Sequence, residues 1–210
     1  MIKAIIFDFD GVIADSLNMG FQVTNNILET FGKPIATLKE FKEEFGADWV
    51  KFYRNRGVPE DLIEKEPELF KKEFEVLRNE IKMFAGIDSI ISQLAKKYKL
   101  GIVSNNHWEF IVEFLKKFEI HGHFDSIIGY IPEARKPDTK QLLMCLEELD
   151  VKPEEACVIG DTIDEITMSR NAGVAKVIAV SYGYDPVHKL EGADVIVHNP
   201  EEILKTLEAL

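Results

Sequence analysis

Basic residues are in short supply: 25 lysines and arginines face 37 aspartates and glutamates, for a formal net charge of −12 over 210 residues. That excess opposes non-specific binding to nucleic acid or to an anionic membrane. An anionic substrate would have to be drawn in by local cations against the overall field. Long apolar runs are missing, so no segment reads as a membrane span. An apolar strand begins almost at Met1, and no signal peptide fits. Cysteine is nearly absent. Cys145 and Cys157 each sit inside an apolar-periodic segment and read as reduced core thiols, so the expected location is cytoplasmic. Glutamine is scarce beside abundant lysine and glutamate, a composition that leans towards a thermophilic source.

What is present is a hydrophobic fraction of 46%, enough for a sizeable core. The chain opens with Ala4-Ile5-Ile6-Phe7, a short run rich in β-branched residues that reads as a buried strand. It ends in Asp8-Phe9-Asp10-Gly11. Side chains two apart on a strand point the same way, so Asp8 and Asp10 share one side of the strand's carboxyl end. Two carboxylates so close beside a dry core repel each other, and a bound Mg²⁺ relieves that repulsion through hard oxygen ligands. Gly11 lets the backbone turn sharply or come close to a ligand. The same residues also fit a strand followed by a polar turn.

From Leu17 to about Lys82 the pattern is helical. Phe21, Thr24, Leu28 and Phe31 form one stripe, which Gly32 ends. Thr37 and Glu40 make a capping box, Asp48 is placed to cap a helix carrying Trp49, Phe52 and Tyr53, and Pro59 and Pro67 suit first helical turns. A long last helix turns Leu69, Phe70, Phe74, Leu77 and Ile81 inward, and these aromatic stripes read as core. After Phe84-Ala85-Gly86 helices and strands alternate: helix Asp88–Tyr98, strand Leu100–Ser104, helix Trp108–Glu119, strand Ser126–Gly129, helix Asp138–Leu149, strand Ala156–Gly160, helix Ile163–Ala172, strand Ala175–Val180 and strand Asp194–Val197, then a helix started by Asn199-Pro200. The expected fold is α/β, a doubly wound parallel sheet with helices on both faces, carrying an inserted all-helical domain. The expected boundaries are 1–15 with 84–210 for the α/β part and 16–83 for the insert.

Ligands of open α/β sheets bind beyond the carboxyl ends of strands. There the chain offers Asp8 and Asp10, then Ser104-Asn105-Asn106, then Arg135-Lys136-Pro137, then Gly160-Asp161-Thr162 with Asp164 and Glu165 just inside the next helix. Acids can hold Mg²⁺, while a hydroxyl, loop amides and a lysine can hold a phosphate. That is equipment for phosphoryl transfer. Each residue also has a plain structural reading: Ser104 and Asp161 as helix caps, Lys136 as a solvated loop charge. His121-Gly122-His123 reads as a loop after a helix end. Arg54 and Arg56 fit a solvated helix face, or contacts to a substrate's anionic end.

Four motifs in order, Asp8-Phe9-Asp10-Gly11-Val12, Ser104-Asn105, Lys136-Pro137 and Gly160-Asp161 with Glu165, give the chain a resemblance to haloacid dehalogenase superfamily phosphatases with a small helical cap, close to the phosphoglycolate phosphatase-like group. The resemblance spans nearly the whole chain. It implies Asp8 as nucleophile, and Asp10 as general acid and then general base. It implies Asp8, the Asp10 backbone carbonyl, Asp161 and Glu165 around Mg²⁺, although Glu165 stands where the family often has Asp. Ser104, Asn105 and Gly11 would meet the phosphate, Lys136 would balance its charge, and Arg54 is the cap residue proposed to touch substrate. The implied reaction is Mg²⁺-dependent hydrolysis of a small phosphorylated metabolite, phosphoglycolate or a sugar phosphate. The alternatives are a phosphomutase, weakened by the lack of a histidine in Leu17-Asn18-Met19-Gly20, and a haloacid dehalogenase, which lacks the second aspartate. A receiver-like signalling module lacks both the insert and the Asp-x-Asp spacing. A monomer is the default, with a dimer as the alternative.

Overall fold

The computed structural model describes residues 1–46 and 49–209. They divide into two compact units: Met1–Asp15 with Met83 to the end of the described chain, and the described residues of Ser16–Lys82.

The first unit begins with β1 (Ala4–Phe7), followed by the two-residue strand β2 (Ala14–Asp15). The second unit is helical, with α1 (Leu17–Thr30), α2 (Leu38–Glu44), α3 (Trp49–Asn55), α4 (Glu60–Ile63) and α5 (Glu66–Leu77). A short strand, β3 (Lys82–Met83), returns the chain to the first unit. There follow α6 (Ile87–Leu94), β4 (Lys99–Val103), α7 (Trp108–Lys117), β5 (Ser126–Ile128), α8 (Lys140–Glu148), β6 (Ala156–Gly160), α9 (Ile163–Ala172), β7 (Lys176–Val180), β8 (Val195–Val197) and α10 (Pro200–Glu208).

Six strands form one sheet in the order β5-β4-β1-β6-β7-β8, and every pairing is parallel. β1 lies between β4 and β6, with Phe7 opposite Ile102 on one side and Ile159 on the other. The order reverses at β1, so the crevice beyond its carboxyl end is flanked by the exits of β4 and β6. A sheet covered on both faces needs apolar residues at every position, which is why Ala4-Ile5-Ile6-Phe7 is buried without alternation. On one face Ala4, Ile6, Val103 and Val158 pack against Leu142, Cys145 and Leu146 of α8. The contact is close: a Cβ on Gly101 would lie 2.5 Å from Cys145 Sγ. Cys145 and Cys157 are buried free thiols, and burial pushes each up to about 12.

In the helical unit the Thr37–Glu40 capping box opens α2, and Gly32 turns left-handed (φ +65°) just past α1. Phe41, Phe52 and Tyr53 are fully buried, with Phe41 stacked on Phe45 at 4.6 Å. The expected Asp48 cap lies outside the described residues. Two expected stripes differ. The buried side of α1 is Gly20, Val23, Thr24, Ile27 and Leu28, while Phe21 and Phe31 are only half-buried. Leu69, Phe70, Phe74 and Leu77 are also only half-buried, and the buried Ile81 lies beyond the helix, after a 3₁₀ turn. In the α/β unit the helix expected to run to Tyr98 stops at Leu94, where the N–H groups of Lys97 and Tyr98 both turn back to the Leu94 carbonyl. The helix expected from Asp138 starts at Lys140, because the Asp138 carboxylate accepts the Lys140 N–H at 2.7 Å and holds the chain ahead of it in a turn. Other ends differ by one or two residues, as fraying ends do. No helix among the described residues is long and apolar enough to cross a membrane.

Candidate active site

The ladder of β1 continues one residue past the strand, with the Asp8 N–H donating to the Ile159 carbonyl at 2.8 Å. Phe9 then turns into the core, edge-on to Phe114 at 5.1 Å and to Phe110 at 5.8 Å. This anchor fixes the alternation that leaves Asp8 and Asp10 on the other side. Gly11 takes φ +75°, and a Cβ there would lie 2.1 Å from Asp161 Oδ2. Glycine is required twice over, for the left-handed turn and for the close approach of the β6 exit.

At the centre Lys136 is almost fully buried, with its Nζ 2.7 Å from Asp8 Oδ1 and 3.0 Å from Glu165 Oε1. The other oxygen of Glu165 accepts both the backbone N–H and the hydroxyl of Thr162, which closes a capping box at the start of α9. Both oxygens of Glu165 are therefore engaged. Asp161 is fully buried. Its Oδ2 accepts the Tyr184 N–H at 2.6 Å, while its Oδ1 has no hydrogen-bond partner. Ligand atoms of Asp8, Asp161 and Glu165 all lie within 4.8 Å of one another. Burial lifts the Asp8 carboxyl to about 8; Lys136 pulls against that shift, and Glu165 and Asp10 add to it. Burial, then Glu165 and Asp8, also push Asp161 well above the carboxylate range. On Lys136 burial acts downward, but the charges of Asp8 and Glu165 outweigh it and hold the ammonium above its ordinary value. With all three carboxyl groups ionised, one ammonium leaves two negative charges uncompensated, which is why burial favours the protonated forms of Asp8 and Asp161 until a cation is bound. The bare Asp161 oxygen and the all-oxygen donor set fit a hard divalent cation such as Mg²⁺.

The loop after β4 supplies the polar wall. Ser104 is buried, and its Oγ accepts the Asn106 N–H at 3.0 Å. Asn105 Oδ1 accepts the Lys136 N–H at 3.2 Å, tying this loop to the one that carries the lysine. The haloacid dehalogenase-like hydrolase family matches residues 5–180, which takes in Asp8, Asp10, Ser104, Asn105, Lys136, Asp161 and Glu165 but not Tyr184. The chain belongs to that family. PpaX of Clostridium perfringens, provisionally named a pyrophosphatase, is 31% identical over 100% of this chain and 99% of its own. A phosphoglycolate phosphatase of Psychrobacter arcticus is 28% identical over 99% of this chain and 94% of its own. Among solved structures, a haloacid dehalogenase-like family hydrolase of Streptococcus pneumoniae superposes with a TM-score of 0.87 at 25% identity, covering 98% of each chain.

Within this haloacid dehalogenase-like unit, Asp8, Lys136, Asp161 and Glu165 come together directly. Asn105 meets them at the Lys136 N–H, Gly11 at Asp161 and Asp10 through its charge on Asp8, while Ser104 stands at the neighbouring β4 exit. Arg54 lies in the helical unit, where Glu60 binds it through two hydrogen bonds of 2.7 and 3.1 Å. Arg56 pairs with Glu44 and lies over the Phe52 ring. Several contributors escaped the sequence reading. Asn106, named at the β4 exit but given no role of its own, donates its amide to Asp10 Oδ2 at 2.9 Å; the contributors that follow are absent from that reading. Gln141 donates to the carbonyls of Ser104 and Gly129, fixing the loop from behind. Gly183, Tyr184 and Asp185 brace Asp161. A Cβ on Gly183 would lie 2.2 Å from Asp161 Oδ2, the Asp185 N–H donates to the Asp161 carbonyl at 3.3 Å, and the Asp185 carboxylate accepts the Ile163 N–H at 2.8 Å. The strand-exit rule, carried on to β7, points to that loop.

Proposed function

We propose that the chain hydrolyses small phosphate monoesters with Mg²⁺, through a phosphoryl group carried transiently on Asp8. The reading is supported most by one observation: a buried carboxylate and ammonium in contact, Asp8 with Lys136, beside a fully buried Asp161 with one oxygen unpartnered. Asp8, Asp161 and the Asp10 backbone carbonyl would hold the ion. Glu165 supports the site from behind by fixing Lys136. Bound Mg²⁺ supplies the positive charge that lets a phosphate approach these carboxylates.

An Asp8 oxygen attacks phosphorus, and the bond to the ester oxygen breaks. Asp10, oriented by the Asn106 amide, gives that oxygen its proton and then takes one from a water whose oxygen bonds phosphorus as the bond to Asp8 breaks, which releases phosphate and restores the Asp8 carboxylate. Ser104 and the loop amides hold the phosphate oxygens. Lys136 offsets charge in the transition state. The phosphatase names of the relatives agree with this chemistry, and phosphoglycolate or a sugar phosphate is the substrate class. The reduced buried thiols suit a cytoplasmic enzyme. The test is phosphate release from a panel of monoesters. Activity should disappear with chelator and return with Mg²⁺; full activity in metal-free buffer would overturn the reading. Conversion of one sugar phosphate isomer into another would assign a mutase instead.

A further inference from the structure

Arg135 directly precedes Lys136, in the loop that leads into α8. Its guanidinium lies over the Tyr130 ring, with Cζ 5.4 Å from the centroid. Its Nε is buried without a hydrogen-bond partner, and no carboxylate among the described residues pairs with it. In a chain with 37 acids and 25 bases an acid partner was easy to provide. A half-buried guanidinium with no acceptor is costly to keep unless something else satisfies it.

Its neighbours lead back to the reaction centre. The Tyr130 N–H donates to the Asn106 carbonyl at 2.8 Å, and the same Asn106 holds Asp10 through its side chain. The His107 ring lies 5.6 Å from the Tyr130 ring. Arg135 is thus tied by backbone to Lys136, and through Tyr130 and Asn106 to the carboxyl group that serves the leaving group.

We infer that Arg135 determines specificity by binding an oxyanion on the leaving-group part of the substrate, with Tyr130 holding the guanidinium flat and His107 extending the aromatic wall. The substrates are phosphoesters or phosphoanhydrides whose leaving group carries a carboxylate or a second phosphate. The planar fork of arginine suits both anions, since each presents two oxygens side by side. This inference rests on the phosphatase reading above.

The test compares kcat/KM for 2-phosphoglycolate and for pyrophosphate with that for ethyl phosphate, whose two-carbon leaving group is uncharged. Wild type should favour an anionic substrate. In Arg135→Ala the ratio of anionic to neutral substrate should fall by about 10- to 100-fold, mainly through KM, the size of one charge-assisted contact. Arg135→Lys should recover part of the ratio, because it keeps the charge but loses the fork. Should Arg135→Ala not fold, Arg135→Gln reports the same ratio. A larger fall with phosphoglycolate identifies a carboxylate, and a larger fall with pyrophosphate a phosphate. An unchanged ratio in folded variants overturns the inference and leaves the phosphatase reading standing. Wild type inert towards every ester in the presence of Mg²⁺ overturns that reading itself.

Discussion

Replacing Lys136 with methionine removes the only positive charge from between two buried carboxylates while roughly keeping the shape of the side chain. The ammonium sits 2.7 Å from Asp8 and 3.0 Å from Glu165, with about 2% of its side chain exposed, so water cannot take its place. Removing one partner of such a pair typically costs about 3–5 kcal/mol. At about 2–4 °C per kcal/mol for a chain of this size, the melting temperature should fall by roughly 6–20 °C. The loss should depend on pH. The Asp8 carboxyl is lifted to about 8 by burial, above its unfolded value near 3.8, so the folded state binds the proton more tightly. Stability therefore falls as pH rises through that window, already in wild type. Without Lys136 the main opposition to the lift is gone and, among the described residues, only the Phe9 N–H still bonds the ionised form, so the window extends upward and the penalty deepens. Lys136 itself is held above its ordinary value, so it stays charged throughout this range and adds no pH dependence of its own. The assay is thermal melting of wild type and Lys136→Met in chelator at pH 5.5 and pH 8.5. The variant should lose more at pH 8.5. A shift under about 2 °C at pH 8.5, or a loss that grows towards acid, would refute the reasoning.

Further outcomes follow from the same contacts. Asp10→Asn should lower kcat by roughly two to four orders of magnitude with alkyl phosphates, and less with aryl phosphates, whose leaving groups need little protonation; equal losses would remove Asp10 from the acid role. Glu165→Ala should raise the Mg²⁺ concentration for half-activity about ten-fold or more, while Asp164→Ala changes it little, because Glu165 rather than Asp164 holds Lys136. If Asp164→Ala does the greater damage in that titration, the roles belong the other way round. Gly183→Ala should weaken Mg²⁺ binding measured by calorimetry, since a Cβ would stand 2.2 Å from Asp161 Oδ2; undiminished affinity would show that Asp161 needs no brace from this loop.

The sheet was legible because strands buried on both faces need unbroken apolar runs, as in Ile5-Ile6-Phe7 and Cys157-Val158-Ile159. The residues at its carboxyl edge were legible for a related reason: a charged group placed straight after such a run has few structural uses. Helix ends were harder. Ala95-Lys96-Lys97 continues a helical pattern, yet the chain must turn there to bring β4 beside β1. In the α1 stripe Thr24 and Leu28 are buried as expected, but Phe21 and Phe31 were misjudged because aromatic residues stand out in a sequence, whereas Val23 and Ile27 complete the contact. Tyr184 left no trace, since it serves Asp161 through a backbone N–H that almost any residue supplies. Gln141 was equally hidden, its partners being carbonyls 12 and 37 residues away.

The central claim is that Asp8 carries the phosphoryl group, and mass spectrometry of a trapped enzyme tests it most directly. Asp10→Asn leaves Asp8 beside Lys136 but removes the group that activates water, so the covalent stage should accumulate. After brief mixing with an aryl phosphate and Mg²⁺ and an acid quench, the peptide containing Asp8 should carry the mass of one added phosphoryl group. Asp8→Asn, folded and treated in the same way, should carry none. Phosphate release in a single turnover with Asp8 unmodified, or the added mass on another residue, would contradict the account.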